Sequence, residues 1–206
     1  CFSFFPTKNL GAAGDGGAAT TNDAGIAQTM RELAVHGMPE RYLHTALGYN
    51  SRLDAMQAAV LNVKLPRLTG WVERRTEIAA RYMDQLADLP GLCLPSTELG
   101  HSWNQFVVRI NSDRDGFRQI LQDRGVSTII YYPIPIHSQP AYAHLGQAEG
   151  SLPITEQLCQ QVLSLPIFPE LSEQQQQTVI ATLHKLLRVQ APTQLPRNGN
   201  QDRMVA

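Results

Sequence analysis

A chain of 206 residues is long enough for one large domain or for one and a half smaller ones. Hydrophobic residues make up 43% and charged residues 17%, so the chain can bury a core, which excludes an intrinsically disordered protein. The net charge of −1, with Lys and Arg spread along the chain, gives no basis for nucleic-acid or anionic-membrane binding. The longest apolar runs are too short to span a bilayer.

In chain order, an apolar run (Cys1–Phe5) is ended by Pro6, which has no N–H to donate to a ladder. A turn with Gly11, Gly14, Gly16 and Gly17 follows, then a second strand over Ala18–Thr21. Between strand and turn sits Lys8, where partial desolvation would lower the amine pKa as Schiff-base chemistry needs. On its own, a loop lysine is more often a solvated surface residue. The glycines do not form a nucleotide loop, because no Lys-Ser/Thr follows and the next element reads as a strand.

Asn22 and Asp23 are placed to cap a helix over residues 24–35, with Ile26, Met30 and Leu33 on its apolar stripe and Gly37 closing it. Residues 38–49 read as an irregular loop. A helix is expected within Gly48–Leu65, with Ser51 and Asp54 as a capping box and Leu53, Met56, Val60 and Val63 as its buried stripe. Pro66 kinks it, and a second helix over Gly70–Leu89 carries Trp71, Ile78, Tyr82, Leu86 and Leu89 inward and Glu73, Arg74, Arg75 and Glu77 outward.

Pro90-Gly91 opens a second domain. Its expected elements are a strand over Asn104–Ile110, a helix over Asp115–Arg124 with Phe117, Ile120 and Leu121 inward, and a strand over Val126–Tyr132 closed by prolines. Helices over Ile154–Leu165 and Glu173–Arg188 follow, the latter with a Ser172/Gln175 capping box and with Gln174–Gln177 as a solvated face. Residues 189–206 are aperiodic and read as a disordered tail. The pattern predicts an α/β protein whose second part is an α+β lobe.

The cysteines, Cys1, Cys93 and Cys159, are odd in number and widely spaced, which suits reduced thiols and predicts a cytoplasmic protein. No histidine has zinc-ligand spacing, so no metal site is expected.

Three segments carry a resemblance. SFFPTKNLGAAGDGGAATTND (Ser3–Asp23), GYNSRLDAMQAA (Gly48–Ala59) and YYPIPIHSQPAY (Tyr131–Tyr142) together resemble the DegT/StrS family of pyridoxal-phosphate (PLP) aminotransferases, which mostly aminate keto-sugar nucleotides. The resemblance implies a fold-type I PLP transferase in which Lys8 carries the cofactor as a Schiff base and Ser3 helps hold its phosphate. It implies further that Asn50 reaches across a homodimer interface to the partner's cofactor phosphate, giving a shared active site. Arg52, Tyr132 and His137 become candidate substrate contacts. The amino donor implied is glutamate, and the freed Lys8 amine moves the proton between donor carbon and cofactor carbon.

The chain does not start with Met and opens inside an apolar strand, so it reads as the C-terminal portion of a longer protein: 1–69 the end of the PLP-binding large domain, 70–89 a connecting helix, 90–188 a small domain. The N-terminal half that would supply the other cofactor contacts is not in this chain, and an unpaired strand edge predicts poor solubility. Two alternatives stay open. One is a truncated, inactive chain or pseudoenzyme acting as a dimerisation module. The other is a PLP enzyme on another substrate, a cyclitol or keto-inositol aminotransferase or a dehydratase, although Lys8 speaks against the dehydratase, which typically has histidine there.

Overall fold

The computed structural model describes residues 1–97 and 100–189. The expected tail over 189–206 lies outside them except for Val189, the last residue of a helix. The chain is mixed α/β and divides into two compact units, Cys1–Gly70 and Trp71 onward. No described helix is long and apolar enough to cross a membrane.

In the first unit, β1 (Phe2–Ser3) and β2 (Gly17–Ala18) pair antiparallel, Phe2 opposite Ala18 and Ser3 opposite Gly17. The second strand is shorter than expected because Thr20 and Thr21 leave the ladder toward the next cap. There, Asp23 accepts a bond from the Ile26 N–H at 3.0 Å and starts α1 (Ala24–Ala34). Gly37 ends α1 as predicted: at φ +68°, its N–H donates to Glu32 O at 2.8 Å, a conformation with no Cβ penalty only for glycine.

The helix expected within Gly48–Leu65 is α2 (Ala55–Lys64), and it starts later than the Ser51/Asp54 box requires. Asp54 is the cap residue and its side chain makes no capping bond. Backbone bonds of residues 49–51 to the end of α1 win over the box: Tyr49 N–H to Leu33 O at 2.7 Å, His36 N–H to Tyr49 O at 2.9 Å and Ser51 N–H to Ala34 O at 3.0 Å. The stripe is also corrected. Met56 is 80% exposed and Val63 68%, whereas Leu61, on the opposite side of the helix, is buried. After a 3-10 turn at Leu65–Arg67, α3 (Leu68–Leu86) begins.

In the second unit, α3 buries Ile78, Ala79, Tyr82 and Leu86 against an antiparallel sheet of β3 (Leu92–Cys93), β4 (Phe106–Ile110) and β5 (Val162–Leu165), in the order β3-β4-β5. Phe106, Val108 and Ile110 alternate inward along β4 as a half-buried strand should. The Tyr82 hydroxyl donates to Pro166 O at 2.9 Å, and burial pushes its phenol pKa up. α4 (Arg114–Asp123) is capped by Asp113 and buries Phe117 and Leu121, with Ile120 partly buried.

Four expectations fail in this unit for identifiable reasons. Val126–Tyr132 is not a strand; Ile129 makes one bridge to Ser164, and Pro133 and Pro135 just beyond cannot extend a ladder. The helix expected over Ile154–Leu165 stops early: α5 is Pro153–Gln161, and the buried run from Val162 becomes β5, since a short apolar run fits either element. Arg75 is not on the solvated face but buried, its Nη1 donating to loop carbonyls while its Nε is left without a partner. In α6 (Glu173–Val189), the Ser172/Gln175 box forms, but Gln176 is buried and donates to Ile78 O at 2.7 Å.

Candidate active site

The loop from Phe4 to Gly16 returns on itself because its own peptide groups close it. Phe4 N–H donates to Gly16 O and Ala12 N–H to Phe4 O, each at 2.8 Å, and Lys8 N–H donates to Phe5 O at 2.9 Å. A methyl group at Gly11 would overlap the Pro6 carbonyl oxygen, so only glycine lets the return strand lie against the peptide that leads into Lys8. Gly11 and Ala12 are buried, whereas Lys8 itself is exposed. The described residues do not supply the desolvation expected around Lys8, and none of them bonds its ammonium. Ser3, in β1, accepts a long bond from the Phe5 N–H at 3.4 Å and is otherwise turned to solvent.

Asn50 was expected at a helix N-terminus but lies in the extended segment before α2, bridged antiparallel to Val35. The helix dipole therefore does not act on it directly, since that effect fades beyond the first turn. Its side chain is oriented instead by Arg52, whose Nη2 donates to Asn50 Oδ1 at 2.6 Å. A guanidinium has no acceptor, so it can face only the amide oxygen, which leaves the amide Nδ2 as the free donor. Together the pair presents donors and one positive charge. Both line an open groove of about 900 Å³ in the first unit, with Asp15–Thr21 on one wall and Met30, Arg31 and Ala34 of α1 on another.

The loop carrying Lys8 is tied to α2 by residues that sequence reasoning passed over. The Ala13 N–H donates to Gln57 Oε1 at 2.8 Å, and Lys64 Nζ donates to Gly11 O. Gln57 stands inside the GYNSRLDAMQAA segment. With helical spacing it shares a face with Leu61 and Lys64, which is the signal that would have found it.

Tyr132 and His137 belong to the second unit. Tyr132 is 67% exposed, with its ring edge-on to Tyr131. His137 has a side chain only 8% exposed, and its Nε2 lies 3.0 Å from Glu156 Oε1. Glu156 also accepts from the N–H groups of Gly150, at 2.9 Å, and Leu152, at 3.2 Å. The His137 bond, aided by the two backbone donors and opposed by burial, holds the Glu156 carboxyl below the usual range.

Residues 1–184 match the family model of the DegT/DnrJ/EryC1/StrS aminotransferases. The erythromycin biosynthesis sensory transduction protein EryC1 of Saccharopolyspora erythraea is 49% identical over 184 residues, which cover 88% of this chain and 50% of that protein. The dTDP-3-amino-3,4,6-trideoxy-alpha-D-glucose transaminase of Streptomyces venezuelae is 48% identical over 181 residues, covering 87% of this chain and 48% of that protein. Among solved structures, S. venezuelae DesV in complex with a ketimine intermediate superposes with a TM-score of 0.85 at 46% identity, over 90% of this chain and 50% of that one. The ntda protein of Bacillus subtilis with bound cofactor PMP superposes with a TM-score of 0.81 at 29% identity, over 90% of this chain and 45% of that one. The chain spans about half the length of the curated relatives it matches. With the family model running through both structural units and relatives close to half identical, this chain belongs to the DegT/DnrJ/EryC1/StrS aminotransferase family.

Proposed function

We propose that the full-length protein is a PLP-dependent aminotransferase that passes an amino group from glutamate to a keto-sugar nucleotide, with Lys8 as the cofactor lysine. The observation that carries this is the Lys8 loop. It is a buttressed turn that presents one primary amine to solvent, in a family whose members include sugar-nucleotide transaminases. The donor set fits the cofactor. An amine suits its aldehyde, and a hydroxyl (Ser3) with an outward amide N–H (Asn50) backed by a guanidinium (Arg52) suits its phosphate. When bound, PLP supplies an electron sink for the substrate carbon.

Lys8 would hold the cofactor through Nζ and, once displaced, move the proton as general base and then acid. Ser3 would steady the phosphate of its own subunit, and Asn50 that of the partner in a homodimer. Arg52, Tyr132 and His137 would contact the sugar nucleotide, His137 doing so with Nε2 already engaged by Glu156. In this reading the first unit is the end of the cofactor-binding domain, residues 70–89 the linking helix, and 90–188 the small domain.

A second reading, a non-catalytic dimerisation module, is favoured by the exposed apolar residues of the first unit, among them Leu47 at 98% and Tyr42 at 78%. Turnover decides between them. The full-length protein with PLP, glutamate and a panel of keto-sugar nucleotides should yield an amino sugar detectable by mass spectrometry. Lys8→Ala and Lys8→Arg should both abolish it, Arg because it keeps the charge without the nucleophile. Product formation by either variant refutes the assignment.

A further inference from the structure

We propose that Gln57 and Lys64, on one face of α2, clamp the loop that carries Lys8 and so act as positioning residues for its amine. The functional half of this rests on Lys8 being the cofactor lysine. The clamp itself rests on geometry alone.

The loop is held at its ends by strands of only two residues each, so β pairing cannot fix its interior. Its own hydrogen bonds satisfy Phe4, Phe5, Lys8 and Ala12. The Ala13 N–H and the Gly11 C=O find their partners on α2. The two partners have opposite polarity. Gln57 offers an acceptor to a loop N–H, and Lys64 offers a donor to a loop C=O. A slip of the loop by one peptide unit breaks both at once, so together they specify register as well as proximity. Leu61 lies between them on the same face and is 7% exposed, and Ala12, between the two clamped peptides, is 4% exposed. The Lys64 bond is part-buried, so losing its partner is costly, whereas the Ala13 bond is exposed and contributes chiefly to register.

The bond to Ala13 also fixes the Gln57 amide. Since a backbone N–H can only donate, it takes Oε1, and Nε2 turns toward Gly14, where a Cβ would stand 3.0 Å away. The clamp reaches Lys8 through Gly11. Gly11 packs directly on the Pro6 carbonyl, two residues before Lys8, so a displacement of the clamped peptide is passed to the peptide that sets the lysine's direction. Misplacing a reacting group by about 1 Å can cost on the order of a hundredfold in rate, which is the scale on which such a clamp matters.

The test uses the full-length protein in its PLP-free and PLP-loaded forms, as wild type, Gln57→Met, Gln57→Glu and Lys64→Met. Met keeps the bulk at position 57 and removes the acceptor; Glu restores an acceptor. Hydrogen exchange of the Ala13 amide should accelerate about five- to tenfold in Gln57→Met and return toward wild type in Gln57→Glu. In the PLP-free protein, competitive acetylation of Lys8 against the exposed Lys185 should show a changed rate in Gln57→Met and Lys64→Met, with Gln57→Glu close to wild type. Unchanged Ala13 exchange in Gln57→Met overturns the clamp. Faster exchange with unchanged Lys8 labelling in both Met variants overturns the positioning role. Should Gln57→Met fail to fold, Lys64→Met read by Lys8 labelling decides the matter alone. Failure of wild-type Lys8 to bind PLP would refute the aminotransferase reading, and the exchange and labelling comparisons would still decide the clamp.

Discussion

Replacing Arg75 by Met removes a buried cation that joins three peptide carbonyls inside the second unit. Arg75 is 8% exposed, and its Nη1 donates to Ile167 O at 2.8 Å, Trp103 O at 3.1 Å and, more weakly, Asn104 O at 3.4 Å. Bonds from a charged donor are worth about 1.5–3 kcal/mol each, so the two shorter ones together represent about 3–6 kcal/mol. Against this stands the cost of burying the guanidinium. Desolvation lowers its pKa, with the Glu170 charge pulling the other way, and Met does not pay that cost. The net expectation for Arg75→Met is a loss of about 2–4 kcal/mol, read from urea unfolding followed by circular dichroism. Arg75→Lys should recover only part of it, because the shorter side chain ends before the position of Nη1, the nitrogen that makes all three bonds. Stability within about 0.5 kcal/mol of wild type for Arg75→Met would show that water or other donors satisfy these carbonyls and would refute the reasoning.

Two further outcomes follow from the same contacts. Gly11→Ala places a methyl group on the Pro6 carbonyl, and a thermal melt should show a loss of about 1–3 kcal/mol. A neutral substitution there would mean that the loop relaxes freely and that its tight return is not enforced. The Glu156 carboxyl has its folded pKa depressed, first by the His137 bond and then by the Gly150 and Leu152 amides. The stabilisation it brings is therefore present above the ordinary carboxylate range and is lost as pH falls through the depressed value. Exchange protection of the Gly150 amide should drop over that acid window in wild type, and Glu156→Gln should lose the dependence. Wild-type protection that stays level to strongly acid pH would remove the carboxylate from the explanation.

The residues that fold locally were legible in the sequence. The Asp23 cap, the Gly37 terminus, the Ser172/Gln175 box and the strand expected over Asn104–Ile110, which forms at Phe106–Ile110, are all short-range signals. What misled was periodicity read without knowledge of the opposing surface. In α2 the apolar stripe of Met56 and Val63 is exposed, while the face this chain uses is Gln57, Leu61 and Lys64. That face satisfies loop peptides, a demand that no hydropathy pattern records. Arg75 and Gln176 were placed in solvent by their side-chain type, yet each is buried because a distant backbone needed a donor: Ile167 O in one case, Ile78 O in the other. Val162–Leu165 was read as a helix end because the apolar Val162, Leu163 and Leu165 fit either element, and only the neighbouring strand β4 decides between them.

The candidate site was legible as motifs rather than as geometry. Lys8, Ser3, Asn50 and Arg52 were all singled out, but the bond by which Arg52 orients Asn50 is a contact the sequence could not show. The extended backbone before α2 likewise depends on bridging to Val35, a residue fifteen positions earlier, rather than on any local cap. His137 was chosen for its place in YYPIPIHSQPAY, and its contact with Glu156 of α5, nineteen residues on, is one the sequence could not show.

The central claim is that Lys8 is the lysine that holds PLP. It is tested most directly by the absorbance spectrum of the full-length protein with PLP, before and after borohydride, followed by mass spectrometry of the peptide containing Lys8. The account predicts a visible band that borohydride discharges, with the reduced cofactor fixed on Lys8. A band whose adduct maps to another lysine, or the absence of any adduct, would contradict it.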